Sequence, residues 1–263
     1  MSQSPSVALT SSAFWPDRIR ASGIHLGLSL LIAVLAGASV FGVWYPYPYR
    51  EISGGRELFL ILVAVDVMLG PLITLAIFNR AKPWSELRRD LAVVVLLQIC
   101  ALGYGMWTVF AARPVHLVFE IYRFNVAHAI DVQPALLAKT PEGIDALPVT
   151  GPTPLSLRPF KSEREKMDAT LAALQGIPLA ARPDLWQSYE KGVPDVLKAA
   201  KPVVQLKSRF PNRAQEIDGL LAPFGAAGPG LVYVPMVGRK SFWTVFLDPV
   251  SADIKAFMPL DSF

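Results

Sequence analysis

Cysteine is nearly missing from this chain, with one in 263 residues, and histidine occurs only three times. A single thiol excludes an intramolecular disulfide framework. Three histidines, one of them inside an apolar run, make a poor basis for a metal site. Charge is scarce as well: Asp, Glu, Lys and Arg supply 17% of the residues, against about 25% in ordinary soluble proteins. The net charge of +4 is spread out, with 8 basic and 6 acidic residues up to position 111 and 17 and 15 after it. Neither half is the basic patch that nucleic acid requires. Apolar residues are what the chain has in quantity, 52% of the total with a mean hydropathy of +0.39. They are concentrated before Arg113, which excludes disorder and a purely soluble enzyme.

Three runs carry that excess: Ile24 to Tyr45, Leu58 to Phe78 and Leu91 to Ala112. Each is about 20 residues, enough at 1.5 Å per residue to cross a hydrocarbon core of roughly 30 Å. The first is too long for a signal-peptide core and ends in Trp44-Tyr45-Pro46-Tyr47-Pro48-Tyr49 rather than a small-residue cleavage site. Its aromatic end suits a lipid–water boundary. Arg18 and Arg20 precede the first run, and Arg80, Lys82, Arg88 and Arg89 lie between the second and third. The first loop has Arg50 and Arg56 alone. Basic residues stay on the cytoplasmic side, so the expected arrangement is a cytoplasmic tail 1–22, a three-helix membrane region 23–112 and an exported domain 113–263.

Asp66 is the one acid at membrane depth, where an ionisable group costs a few kcal/mol and faces a partner helix or a watered path. Gly70 is four residues on and shares its helical face, and Pro71 removes a backbone hydrogen bond and is expected to kink the helix. His25, Thr74 and Gln98 are possible polar partners. Cys100, in the third run, reads as a small hydrophobe.

After Arg113-Pro114, residues 115–120 and 123–130 read as a strand pair. Residues 139–160, with Pro141, Pro148, Pro152 and Pro154, have loop composition. Ser162 and Glu165 form a capping box that opens a helix to about Gln175. Further helices are expected at Asp184–Lys191, Pro194–Ala200 and Asn212–Ala222, the last with Asn212 as a possible cap. Leu231–Met236, Ser241–Leu247 and Ile254–Met258 then form a three-stranded meander with turns at Gly238-Arg239-Lys240 and Pro249 to Asp253. The expected fold is therefore three transmembrane α-helices followed by an α+β domain with a C-terminal antiparallel β-meander. No phosphate loop, Gly-x-Ser-x-Gly elbow or paired catalytic carboxylates occur, and His116 and His128 read as surface or core residues. No catalytic residue, metal or cofactor is expected.

Several segments together resemble a known family. They are Gly23-Ile24-His25 through Trp44-Tyr45-Pro46-x-Pro48, then Gly54-Gly55, then Val65-Asp66-Val67-Met68-Leu69-Gly70-Pro71-Leu72 with Thr74. Arg113-Pro114-Val115, Val118-Phe119-Glu120 and Arg123-Phe124 continue the pattern, as does Val234 to Lys240 followed by Trp243-Thr244-Val245 and Leu247-Asp248. In these the chain is similar to the type IV pilin accessory proteins, the TfpX/TfpZ group that includes FimB proteins. Ser251-Ala252-Asp253 departs from a Thr-Gly-like turn. The resemblance implies a non-catalytic, multi-pass inner-membrane factor with a periplasmic domain that binds and stabilises or presents a cognate major pilin, in contact with membrane lipid and not nucleic acid. The candidate partner-binding residues are Asp66, Gly70, Pro71, Trp44 and Tyr45. The competing readings are a pilin-modifying membrane enzyme and a membrane-anchored periplasmic sensor.

Overall fold

The computed structural model describes residues 14–79 and 82–263. Most of the expected tail 1–22, and Arg80 of the expected second loop, lie outside the described residues. Three long helices carry the apolar runs: α1 (Phe14–Ser39, continued by a π-turn Val40–Trp44), α3 (Gly55–Ile77) and α4 (Trp84–Ala111), with a short α2 (Tyr49–Ile52) between the first two. All three long helices have the length and composition to span a membrane. Each starts earlier than its apolar run, with an acid (Asp17, Glu57 or Glu86) in the first turn, where the helix dipole favours negative charge. Arg88 and Arg89 therefore sit on the opening turns of α4 instead of in a loop. They remain close enough to the membrane end to count toward orientation.

The chain divides into two compact units, one of residues up to Ser39 with Glu57–Val109, the other of Val40–Arg56 with Phe110–Phe263. The segment 40–56, expected within the membrane region 23–112, thus folds with the C-terminal part. In the membrane unit, α1 and α3 run antiparallel. Arg18 Nη1 donates to the Leu75 carbonyl at 3.3 Å, Ser22 Oγ donates to that of Pro71 at 2.9 Å, and Gly37 lies against the Phe59 ring. In turn, α3 and α4 are antiparallel, joined at Gly70 with Gln98 and at Leu62 with Gly105. Up, down, up is the topology that short connections dictate. Helix α3 continues without a break through Pro71.

The second unit is built on one mixed sheet. Its strands are β1 (Pro114–Glu120), β2 (Arg123–His128), β3 (Thr153–Leu157), β4 (Trp186–Ser188), β5 (Lys201–Pro202), β6 (Val232–Val237), β7 (Phe242–Leu247) and β8 (Ile254–Met258). They lie in the order β4-β3-β1-β2-β6-β7-β8, with β5 also pairing β6. The expected hairpin β1–β2 and meander β6–β7–β8 are antiparallel as read, and a parallel β2–β6 pair fuses them. Three of the helices found here are α5 (Glu163–Leu174), α6 (Tyr189–Ala199) and α7 (Val203–Arg209); the fourth is α8 (Ala214–Leu221).

Several expectations need correction. The Pro-rich stretch 139–160 contains β3, which β1 recruits in parallel with Leu117 opposite Pro154. Asp184–Lys191 is not a helix: β4 occupies its middle, and α6 then runs from Tyr189 through Pro194, which forfeits a backbone bond at the helix's midpoint. Helix α7 was unexpected. Asn212 does not cap α8; it sits inside a 3-10 turn, Pro211–Arg213. Ser162 does cap α5, accepting from the Glu165 N–H. Glu165 closes the motif differently, accepting from the Lys161 N–H at 2.6 Å and pairing with Arg158, which holds its carboxyl at about 2.

Period-2 patterning explains the two faces of this sheet. Val234, Met236, Trp243, Val245 and Leu247 face one way, with Val232 at the margin, and pack with Leu117, Phe119 and Phe124, with Val196 of α6 and with Tyr49 and Ile52 of α2. On the other face Tyr233 and Phe246 meet Leu206 of α7 and Ile217 of α8. Val115, Val118, Leu155 and Trp186 form a third cluster. Ile52 is fully buried in the same core as the meander, so the first loop and the C-terminal domain fold as one body. The Ser251-Ala252-Asp253 turn closes with Ala252 at φ 58°, a left-handed position, while Asp248 Oδ1 accepts from the Val250 and Ser251 N–H groups.

Candidate partner-binding site in the membrane helices

A hydrogen-bonded relay ties the three spans together, and its centre is His25. On α1, Ser22, His25 and Ser29 recur at intervals of three and four and so share one face. His25 Nδ1 lies 2.6 Å from Thr74 Oγ1, and Nε2 lies 2.6 Å from Gln98 Oε1. Gln98 Nε2 donates to the backbone carbonyl of Asp66 at 3.3 Å. With the Gln98 amide nitrogen so engaged, its oxygen accepts from Nε2–H of His25, and Nδ1 accepts from the Thr74 hydroxyl. A neutral imidazole satisfies every bond in this relay. Polar groups at membrane depth demand such partners, because the surrounding lipid offers none.

The candidate residues fall into different roles around this relay. Gly70 is buried, and a Cβ there would overlap Gln98 Nε2 and stand 3.0 Å from His25 Nε2. The notch expected at Gly70 is therefore filled from within the chain, by side chains of α1 and α4. Pro71 contributes its carbonyl to Ser22. Asp66 meets Gln98 through its backbone only; among the described residues its carboxyl has no hydrogen-bond partner, and it is half-buried at the bottom of a groove. In the other unit, Trp44 packs edge-on against Phe110 with ring centroids 5.0 Å apart. Tyr45 is completely buried, its ring so close to Gly55 that no Cβ would fit there. It packs within the protein and presents no surface. His25 was legible only as a polar residue in an apolar run; the Ser22-His25-Ser29 spacing is the signal that marks its face.

The C-terminal unit offers structural polar groups. His116 is buried edge-on against Trp186, its Nδ1 2.7 Å from Thr153 Oγ1 and its Nε2 3.2 Å from the Ala146 carbonyl. Burial pushes its pKa down to about 4. Burial also lowers the pKa of His128, which lies beside Asp131, whose carboxylate accepts from Arg239 at 2.6 Å. His116 stands opposite Ala127, so it and His128 point to opposite faces of the sheet. No cluster of three metal-ligating side chains occurs among the described residues.

Residues 13–54 match the model of the family described as Fimbrial assembly protein FimB. The chain is 32% identical over 247 residues to the fimbrial assembly protein of Dichelobacter nodosus serogroup I, covering 92% of this chain and 95% of that protein. The serogroup E1 protein of the same organism gives the same identity and coverage. The protein of serogroups C1 and C2 is 39% identical over 111 residues, 42% of this chain and 85% of that one. No solved structure gives a significant match.

Proposed function

The chain belongs to the FimB family of fimbrial assembly proteins, and from that premise we propose that it is an inner-membrane factor for type IV pilus assembly, binding and stabilising or presenting a cognate major pilin without catalysing a reaction. The observation that carries this reading is that the likeness to proteins named for fimbrial assembly runs through membrane helices and folded domain alike. A partner with a membrane helix and a head outside the membrane would be met in both layers. In this reading the N-terminus and the α3–α4 connection are cytoplasmic, following the basic residues Arg18, Arg20, Lys82, Arg88 and Arg89. Segment 40–56 and residues 113–263 are then periplasmic together.

The test has two parts. Full-length chain purified from detergent-solubilised native membranes should bring the major pilin with it, and loss of the chain should lower pilin abundance or surface piliation. Absence of pilin from that preparation, with unchanged piliation, would end the proposal. The intact mass of pilin should be the same with and without this chain; a mass difference would favour a modifying enzyme instead.

A further inference from the structure

Between α1 and α4, with α3 as its floor, runs an open groove of about 750 Å³. From Asp17 to Ile32 it follows fifteen residue steps of α1, roughly 22 Å at 1.5 Å per residue. Its walls are mostly apolar and largely uncovered, with Asp17, Arg20 and Ser29 also lining the α1 side: Ile24 is 60% exposed, Leu28 56%, and on the α4 side Ile99 is 62%. Lipid chains alone are able to cover such walls. They cannot serve Asp66, which lines the floor without a partner among the described residues. Asp66 is the central residue of α3 (Gly55–Ile77), about 16 Å from either end. A phospholipid headgroup at the interface does not reach that depth. The complement of an acidic acceptor in the middle of an apolar groove is an apolar helix that carries a hydrogen-bond donor at matching depth.

We infer that this groove receives the membrane helix of the pilin, seated against the walls of α1 and α4, with a donor side chain of that helix bonded to the Asp66 carboxyl. The inference rests on the pilin-binding reading above and specifies where the helix sits. It separates Asp66 from Gly70: the glycine accommodates the chain's own relay, and the acid is left for the partner.

The experiment is site-specific photocrosslinking in native membranes with the full-length chain. A crosslinking residue replaces Ile32 or Ile99, which line the groove, or Leu30 or Leu97, which face away from it. Pilin adducts should form from the groove positions and not from the outer ones. At normal abundance, Asp66→Leu should lower groove adducts by about 3- to 20-fold, the effect of one intramembrane hydrogen bond. Asp66→Asn, which keeps an acceptor oxygen, should retain most of them. Pilin that co-purifies with the chain but crosslinks equally from the outer faces overturns the groove while leaving pilin binding intact. The same holds for groove positions that capture lipid only, for adducts indifferent to Asp66→Leu, and for adducts lost equally with Asn. If no pilin co-purifies and none crosslinks from any position, both readings fall.

Discussion

Substituting Gly70 by alanine tests the relay directly, because the added Cβ collides with the far end of one side chain. That atom is Gln98 Nε2, and a glutamine terminus is able to swing aside. The cost is then set by the bonds it gives up: the 2.6 Å bond with His25 and the 3.3 Å bond to the Asp66 carbonyl. Intramembrane hydrogen bonds average about 0.6 kcal/mol each and reach about 1.7, so Gly70→Ala should cost about 1–2 kcal/mol. Gln98→Ala should cost a similar amount. In the Gln98→Ala background both bonds are already gone, and Gly70→Ala should cost less than about 0.5 kcal/mol, leaving a coupling of about 1 kcal/mol. Equilibrium unfolding of the full-length chain in mixed micelles, with SDS as titrant, measures all four corners of this cycle. Equal costs for Gly70→Ala in the two backgrounds would refute the claim that Gln98 fills the Gly70 notch.

Trp243 is 6% exposed and stands opposite Met236 in the sheet core, so Trp243→Ala should cost about 3–5 kcal/mol; a thermal transition of the full chain unmoved from wild type would place the ring outside the core. At Gly238 a Cβ would overlap Ile52 Cγ2 and stand 3.1 Å from the Ile52 carbonyl, which is pinned by the Lys240 N–H. Gly238→Ala should therefore cost about 1–3 kcal/mol and expose segment 40–56 to limited proteolysis; unaltered cleavage would refute the docking of that segment on the meander turn. The unfolded chain protonates His116 near pH 6.5, while the native ring resists until about 4. The unfolded state thus binds the extra proton between those values, and stability falls as pH drops through that window, by about 3 kcal/mol at its foot. His116→Gln should flatten that slope in urea titrations run from pH 7 to pH 4, and an unchanged slope would assign the acid sensitivity elsewhere.

What could be read from the sequence is what depends on local pattern. Runs of 20 apolar residues announce the spans, alternation at Val232–Leu247 announces the meander, and Ser162 announces its helix. The missed elements owe their form to distant partners. Thr153-Pro154-Leu155-Ser156-Leu157 has no pattern that outweighs its proline, and becomes a strand because β1 offers a parallel edge. Trp186-Gln187-Ser188 becomes a strand because β3 is then available beside it. The fusion of hairpin and meander depends on two residue pairs, Phe124 with Met236 and Asn125 with Val237, more than 100 positions apart. Nothing local to 40–56 signals that Tyr49 and Ile52 belong to the core of a domain beginning sixty residues later.

The site divides along the same line. Periodicity alone puts Asp66 and Gly70 on one helical face, and an acid beside a small residue then reads as a single docking feature. Helix packing separates them. The space over Gly70 is taken by His25 and Gln98, so the glycine's small size serves the approach of the chain's own helices. The Asp66 backbone joins that relay through its carbonyl while its carboxyl turns to the groove. A carboxyl that merely stabilised the bundle would be expected to bond one of the polar side chains nearby. His25 and Thr74 instead bond each other and Gln98 bonds His25, while Ser29 lines the groove with Asp66 and makes no hydrogen bond to its carboxyl. An acid left over from a satisfied relay, at the centre of a span, is costly to the isolated chain, and a donor arriving from outside the chain would offset that cost.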